Sequence, residues 1–223
     1  VKLYKIASLE NTDLNLINSI AKTGKPIIIS TGASNFKEIN QALKIIKKYH
    51  NKVIILHCVS EYPTPINEAN LSRINKLKKK FPKNLVGLSD HTNSIDTSLA
   101  SVPLGIVAIE KHFKDSKFNK SLDSKFSIVP KELKELKKRS IIFYEATKNI
   151  GKEVNQADLK SSKDKRSIFA QLDILKGERI GLNKIVSLRP KIGIGSEYFF
   201  KILGKKVKKK IYKGKLIFFD DLK

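Results

Sequence analysis

Methionine is absent from all 223 residues. Translation starts on that residue, so the chain is expected to be a fragment or a processed product. A single cysteine, Cys58, excludes an internal disulfide and is compatible with a reducing cytoplasm, the expected location. No apolar run approaches the length needed to span a bilayer, and no secretory signal opens the chain, so no membrane partner is expected. Acidic residues are scarce: 21 against 45 basic ones leave a formal charge of +24. Such a charge draws anionic partners, whether nucleic acid, a membrane surface or a phosphorylated substrate. Aromatic residues are only 8% of the chain, and few stand among the lysines as stacking platforms for bases. The basic stretches Lys76–Lys80 and Lys205–Lys215 are therefore read as solvated faces, and no nucleic-acid partner is expected. Internal sequence repeats are lacking too. The 40% apolar content suits a globular protein with a sizeable core.

What is present is order. Five apolar runs in the first half each end in a cluster of polar residues: Tyr4–Ser8, Ile27–Gly32, Val53–Cys58, Val86–His91 and Ile106–Phe113. Helical stretches separate them. Ile39, Leu43 and Ile46 share a face behind Asn35 and Glu38, the spacing of a capping box. Leu71, Ile74 and Leu77 form a second stripe before Pro82. Ser94 suits the cap of a short helix ending near Pro103 and Gly105, and Pro130 suits the first turn of a helix carrying Leu133 and Leu136. Strands alternating with helices favour a parallel sheet, and in a (β/α) barrel the C-terminal strand ends meet at one mouth, where chemistry sits. The expected fold class is thus α/β, with a partial barrel over residues 1–150. Residues 151–166 are polar and read as a linker. From 167 to 223 the texture changes to short β-like pieces, Ser167–Ala170 and Lys215–Phe219, punctuated by turns at Gly177 and Gly214. A small, mostly β second domain is expected there, leaning on a partner surface.

The polar strand ends hold the chemistry. His91 and His112 close the fourth and fifth runs, one strand–helix–strand step apart, and two imidazoles so placed can point at one metal. An ordinary hydrogen-bonded core or rim histidine is the rival reading of each. His57 reads as a packed strand residue, and His50 as a charge at the negative end of a helix dipole. Neighbours on a strand face opposite sides, so Lys111 and His112 do not share an interior, and Lys111 is read as structural. Lys5 and Ser8 suit a bound phosphate or carboxylate. Ser30-Thr31-Gly32 offers a hydroxyl and a close backbone approach, the parts of an anion cradle, or equally a helix-entry turn. Glu10, Tyr62, Asp90 and Asp123 follow strands, where site residues and plain loop solvation look alike. Pro63-Thr64-Pro65 would stiffen the backbone after Tyr62.

Tyr4-Lys5-Ile6-Ala7-Ser8, Lys25 to Gly32, Leu56-His57-Cys58 with Tyr62-Pro63-Thr64-Pro65, Gly87 to Thr92 and Ile109-Glu110-Lys111-His112-Phe113 together resemble the sialic acid synthase family, the N-acetylneuraminate synthases with their legionaminate and pseudaminate relatives. The tail from Ser167 is similar to the antifreeze-like (SAF) domain of the same enzymes. The resemblance implies a TIM barrel of which this chain holds strands four to eight, followed by the SAF domain. It also implies condensation of phosphoenolpyruvate with an N-acylated amino sugar, either N-acetylmannosamine or a diacetamido-trideoxy hexose. A divalent metal, manganese or else magnesium or cobalt, would sit on His91 and His112. Phosphoenolpyruvate contacts match Lys5, Ser8, Ser30, Ser60 and Ser89. Sugar contacts match Glu10, Tyr62 and Asp123, with Glu10 and Lys5 in catalytic roles. Arg189 would act on the opposite subunit of a domain-swapped homodimer. The chain departs from the family pattern at Ser60, where some relatives have Asn, at Lys120-Ser121-Leu122, where relatives often have Gly-Pro, and at Lys191, which replaces a glycine. The segments Ser8–Asp13 and Asp123–Ser127 lean toward the pseudaminate branch.

Two rival functions stand beside this one. A Schiff-base aldolase or lyase would use Lys5 or Lys111 as nucleophile. A basic nucleic-acid-binding fragment would explain the charge but not the ordered strand ends.

Overall fold

The computed structural model describes residues 1–116, 118, 120–147, 151 and 153–223. The chain divides into two compact units, residues 1–148 and 149–223.

In the first unit, strands β1 (Tyr4–Ile6), β2 (Ile27–Ser30), β3 (Val53–Cys58), β4 (Leu85–Asp90) and β5 (Ile109–Lys111) form one parallel sheet in sequential order. Helices α1 (Leu14–Ala21), α2 (Phe36–Lys47), α3 (Ser72–Lys80), α4 (Asp96–Ser101) and α5 (Pro130–Thr147) alternate with and follow the strands. The two-residue alternation of the strands divides their labour. Ile6, Ile27, Ile29, Val53, Ile55 and Val86 pack in one core with Ile17 of α1, Ile39, Leu43 and Ile46 of α2, and Ile74 and Leu77 of α3. The other parity carries Lys5, Ser30, Cys58, Ser89 and Glu110. Lys5 Nζ lies 3.3 Å from Glu110 Oε1, although β1 and β5 stand at opposite ends of the strand order. A sheet whose edge strands meet through side chains is curled, with the polar parity on its concave face.

Local chemistry explains the helix starts. Asn35 Oδ1 accepts from the amides of Lys37 and Glu38 at 2.9 and 3.0 Å, and Glu38 Oε2 accepts from the Asn35 amide at 2.8 Å, completing the expected box. Ser94 acts one step earlier than expected. Ile95 holds the cap position of α4, while Ser94 Oγ accepts from the Asp96 amide at 3.2 Å. Gly105, at φ +70°, ends the turn after α4. The fifth apolar run is longer than its strand: β5 starts only at Ile109, and Phe113 makes a lone bridge to Ile128.

Gly87 marks the tightest approach in the sheet. A Cβ there would lie 2.6 Å from both the Ala108 carbonyl oxygen and Leu56 Cδ2. Gly87→Ala is expected to cost about 1–3 kcal/mol through overpacking. At roughly 2–4 °C per kcal/mol for a chain of this size, calorimetry should show a clear fall in melting temperature; an unchanged value would show that the sheet accommodates the methyl group.

The second unit has its own core, built from Ile168, Ile174, Ile180, Ile185, Ile194, Ile202, Val207 and Ile217 among others. It is less β than the sequence suggests. Strands β6 (Ser167–Ala170) and β7 (Ile185–Leu188) pair antiparallel, and the rest of the pairing consists of isolated bridges. Lys215–Phe219 forms no strand and contributes the single bridge Phe169↔Leu216. Left-handed glycines at 177, 204 and 214 turn the chain too often for longer ladders to grow. The segment 151–166, of which Lys152 lies outside the described residues, holds the short helix α6 (Gln156–Ser161), capped by Asn155 accepting from the Asp158 amide at 2.8 Å. Helix α7 (Phe199–Ile202) completes the unit. Among the described residues no helix is long and apolar enough to cross a membrane.

Candidate active site

A cavity of about 240 Å³ opens on the concave face at the C-terminal strand ends. It is lined by Lys5, Ser8, Ser30, Cys58, Tyr62, Ser89, His91, Glu110 and His112, with Ala7 between them. Each strand contributes through its last turns. Cys58, Ser89 and Glu110 are register partners across β3, β4 and β5 and so stand side by side.

One half of the cavity gathers hydroxyls and an ammonium, groups whose chemistry suits an anion. Ser8 Oγ accepts from the Gly32 amide at 3.0 Å, which ties the β1 end to the loop after β2. A Cβ on Gly32 would collide with Ser60 Oγ and meet Ser8 Oγ at 3.0 Å and Cys58 Sγ at 3.2 Å, so glycine lets these groups crowd together. The buried hydroxyls of Ser30 and Ser60 have no partner among the described residues. Such orphans are costly unless a ligand or water meets them. Lys5 supplies the cation. Among the described residues it pairs with Glu110, whose Oε1 also accepts from Ser89 Oγ at 2.7 Å.

The Thr31–Ser34 loop is held from outside. Arg73 on α3 donates through Nη1 to the Thr31 carbonyl at 2.9 Å and through Nη2 to the Ser34 carbonyl at 2.5 Å. Charged hydrogen bonds contribute about 1.5–3 kcal/mol each. Arg73→Met should therefore speed amide hydrogen exchange at Gly32 by about tenfold or more, with α2 unaffected; equal rates in both proteins would show that the loop holds itself.

The other half is aromatic and imidazole-rich. The His91 and His112 ring centroids are 5.3 Å apart. Tyr62 lies over His91 at 4.0 Å, and Phe126 closes on His112 at 4.8 Å. The stiff loop does hold Tyr62 in place: the Thr64 amide donates to the His91 carbonyl at 3.0 Å, and Thr64 Oγ1 to the Glu61 carbonyl at 2.8 Å. His91 Nδ1 donates to the Val59 carbonyl at 2.8 Å, which leaves Nε2 directed to the cavity side, 3.5 Å from Ser89 Oγ. A backbone carbonyl fixing one ring nitrogen is how metal-ligating imidazoles are commonly oriented. Among the described residues no three His, Cys, Asp or Glu groups are gathered as a metal site.

Burial opposes charge on His91, but the Cys58 thiol and the Val59 carbonyl outweigh it and raise its pKa. Burial, followed by the charge of His91, lowers that of His112. Burial pushes the Cys58 thiol up, yet hydrogen bonding with His91, Ser8 and Ser89 brings it below its ordinary value.

Most of the residues singled out in the sequence do converge. Lys5, Ser8, Ser30, Ser89, Tyr62, His91 and His112 share the cavity, and Ser60 stands against Gly32 at its edge. Asp123 is exposed at the rim, 3.7 Å from His112 Nδ1. Glu10 is exposed on the turn Ser8–Thr12 and does not line the cavity. Arg189 is exposed and belongs to the second unit. His57 is a packed strand residue, its Nε2 2.8 Å from the Ala69 carbonyl. Lys111 is buried against Asp90, away from the cavity, and so drops out as a Schiff-base nucleophile. Sequence reasoning missed Glu110 and Cys58 as cavity residues. The signal for Glu110 was available: it lies two residues before His112 and must share its face.

Residues 1–153 match the family model described as the NeuB family, and residues 165–223 match the SAF domain. The N,N'-diacetyllegionaminic acid synthase of Campylobacter jejuni is 38% identical over 97% of this chain and 66% of its own length. The pseudaminic acid synthase of the same species is 39% identical over 93% of this chain and 61% of its own. The crystal structure of an N-acetylneuraminic acid synthetase from Leptospira borgpetersenii matches 72% of this chain and 56% of its own with a TM-score of 0.68 at 35% identity. The chain thus spans somewhat less than two thirds of the length of the curated relatives it matches.

Proposed function

The chain belongs to the NeuB family, and from that premise we propose that its cavity serves a nonulosonic acid synthase. The reaction is the condensation of phosphoenolpyruvate with an N-acylated amino sugar aldehyde, giving a nine-carbon keto acid and phosphate. Carbon three of phosphoenolpyruvate bonds to the aldehyde carbon, water adds at carbon two, and the C–O bond to phosphate breaks.

The observation that carries this reading is the meeting of an anion cradle and an imidazole pair in one cavity. Lys5, Ser8, Ser30, Ser60 and Ser89 would hold the phosphate and carboxylate, meeting the Ser30 and Ser60 hydroxyls, which lack partners among the described residues. His91 and His112 would hold a divalent cation, manganese first, whose chemistry when bound is to polarise the aldehyde oxygen. Tyr62, Phe126 and Asp123 would shape the acceptor side and fix the sugar for attack. Glu110 is better placed than Glu10 to accept or return a proton, since it lines the cavity. The proposal also has Arg189 working on a second copy in a domain-swapped homodimer in the cytoplasm, as the family resemblance implies.

The test is phosphate release from phosphoenolpyruvate by the full-length protein, with and without EDTA, across N-acetylmannosamine and diacetamido-trideoxy hexoses. Release with one sugar that EDTA abolishes is the expected result. No release with any sugar, together with borohydride trapping of a keto acid on Lys5, would replace the synthase with a lyase.

A further inference from the structure

His91 and His112 are each preceded by a charged residue that does not line the cavity. Asp90 and Lys111 are register partners across β4 and β5, on the sheet face turned away from it. Their side chains are 1% and 3% exposed, and Lys111 Nζ lies 3.0 Å from Asp90 Oδ2. The ammonium also donates to the Thr92 carbonyl at 2.5 Å, and lies 3.4 Å from its Oγ1. Asp90 Oδ1 accepts from the Thr92 amide at 2.9 Å, and its Oδ2 from Ser98 Oγ on α4 at 2.5 Å. Both polar backbone groups of Thr92 are thus fastened, and His91 sits between two pinned residues. A buried ion pair is a poor route to stability, since a well-packed apolar pair often does as well. What it does supply here is geometry. Because adjacent side chains point to opposite faces, a bond between residues 90 and 111 on one face sets the relative height of 91 and 112 on the other.

We infer that Asp90 and Lys111 form a clasp that fixes the spacing and aim of His91 and His112, which makes both of them positioning residues for the bound cation. The inference rests on the proposed metal role of those histidines. Lys111→Met alone would strand the Asp90 carboxylate in a dry site, so the informative variant is Asp90→Asn with Lys111→Gln, which keeps size and hydrogen bonding and leaves no lone charge.

Three quantities are read on the full chain: Mn²⁺ affinity by electron paramagnetic resonance, the imidazole ¹⁵N signals without metal, and the melting curve. The expected result is a cooperative melt, Mn²⁺ affinity reduced about 10- to 100-fold, and a His91 ring that loses its single Nδ1–H tautomer. Affinity and imidazole signals matching the wild type within about twofold would overturn the clasp. If the wild-type chain takes up no Mn²⁺, the metal assignment fails instead. The imidazole signals then decide alone, averaging in the variant supporting the clasp and unchanged signals refuting it. Should the double variant not melt cooperatively, Ser98→Ala removes one bond to Asp90 without altering charge, and the same readouts are expected to move in the same direction by a smaller factor.

Discussion

His91→Ala in the full-length protein is expected to reduce metal-dependent phosphate release by about a thousandfold or more. The magnitude follows from what the imidazole would hold, since a Lewis-acidic cation contributes several kcal/mol to the transition state and each 1.4 kcal/mol is a factor of ten. The loss should fall on kcat and on cation affinity together. The fold should survive, because the His91 bond to Thr64 uses the main-chain carbonyl. The ring itself contacts Tyr62 at 4.0 Å and donates to the Val59 carbonyl at 2.8 Å, and these are the contacts given up. A variant that keeps full metal-dependent turnover would remove His91 from the site.

Lys5→Met should produce a different signature. It preserves most of the side-chain volume and deletes the ammonium that stands in the anion half of the cavity. Loss of charge-assisted hydrogen bonds to a phosphate or carboxylate amounts to about 1.5–3 kcal/mol each, so kcat/KM for phosphoenolpyruvate is expected to fall about a hundredfold or more. The effect should enter mainly through KM for that substrate, with cation affinity changed far less than in His91→Ala, because an ammonium offers a cation no lone pair. Steady-state kinetics with each substrate varied in turn separate the two effects. Unaltered KM for phosphoenolpyruvate would show that the serines and the Gly32 loop hold the anion by themselves.

Much of this architecture was legible in the sequence, for physical reasons. The strands were readable because their core-facing parity is nearly unbroken isoleucine and valine, as in Ile27, Ile29, Val53 and Ile55. The α2 start was readable because Asn35 and Glu38 satisfy the helix end chemically. In the second unit only the reading of Lys215–Phe219 as a strand failed, because the run has β-forming composition, whereas strand formation needs a partner of matching length that the frequent turns do not supply. The histidines, Lys5, Ser8 and Ser30 were found from position at strand ends, whereas Ser60 and Ser89 came only from the family resemblance. Glu110 escaped because a carboxylate on a strand resembles the Lys111 beside it until parity is counted. The Arg73 hold on the Thr31–Ser34 loop escaped for another reason: it joins residues about forty positions apart, and no local pattern records such a meeting.

The alternation at the tips of β4 and β5 has an evolutionary consequence. Asp90 and His91 occupy successive codons, as do Lys111 and His112, and in each pair one residue serves the outer face and the other the cavity. Deleting a single codon upstream in either strand would turn the carboxylate or ammonium into the cavity and bury the imidazole outside it. Drift by substitution can proceed one residue at a time here, but drift in length cannot. Descendants of this sequence should therefore vary freely in the length of the loop around Gly24, while the count of residues through these two strand tips stays frozen.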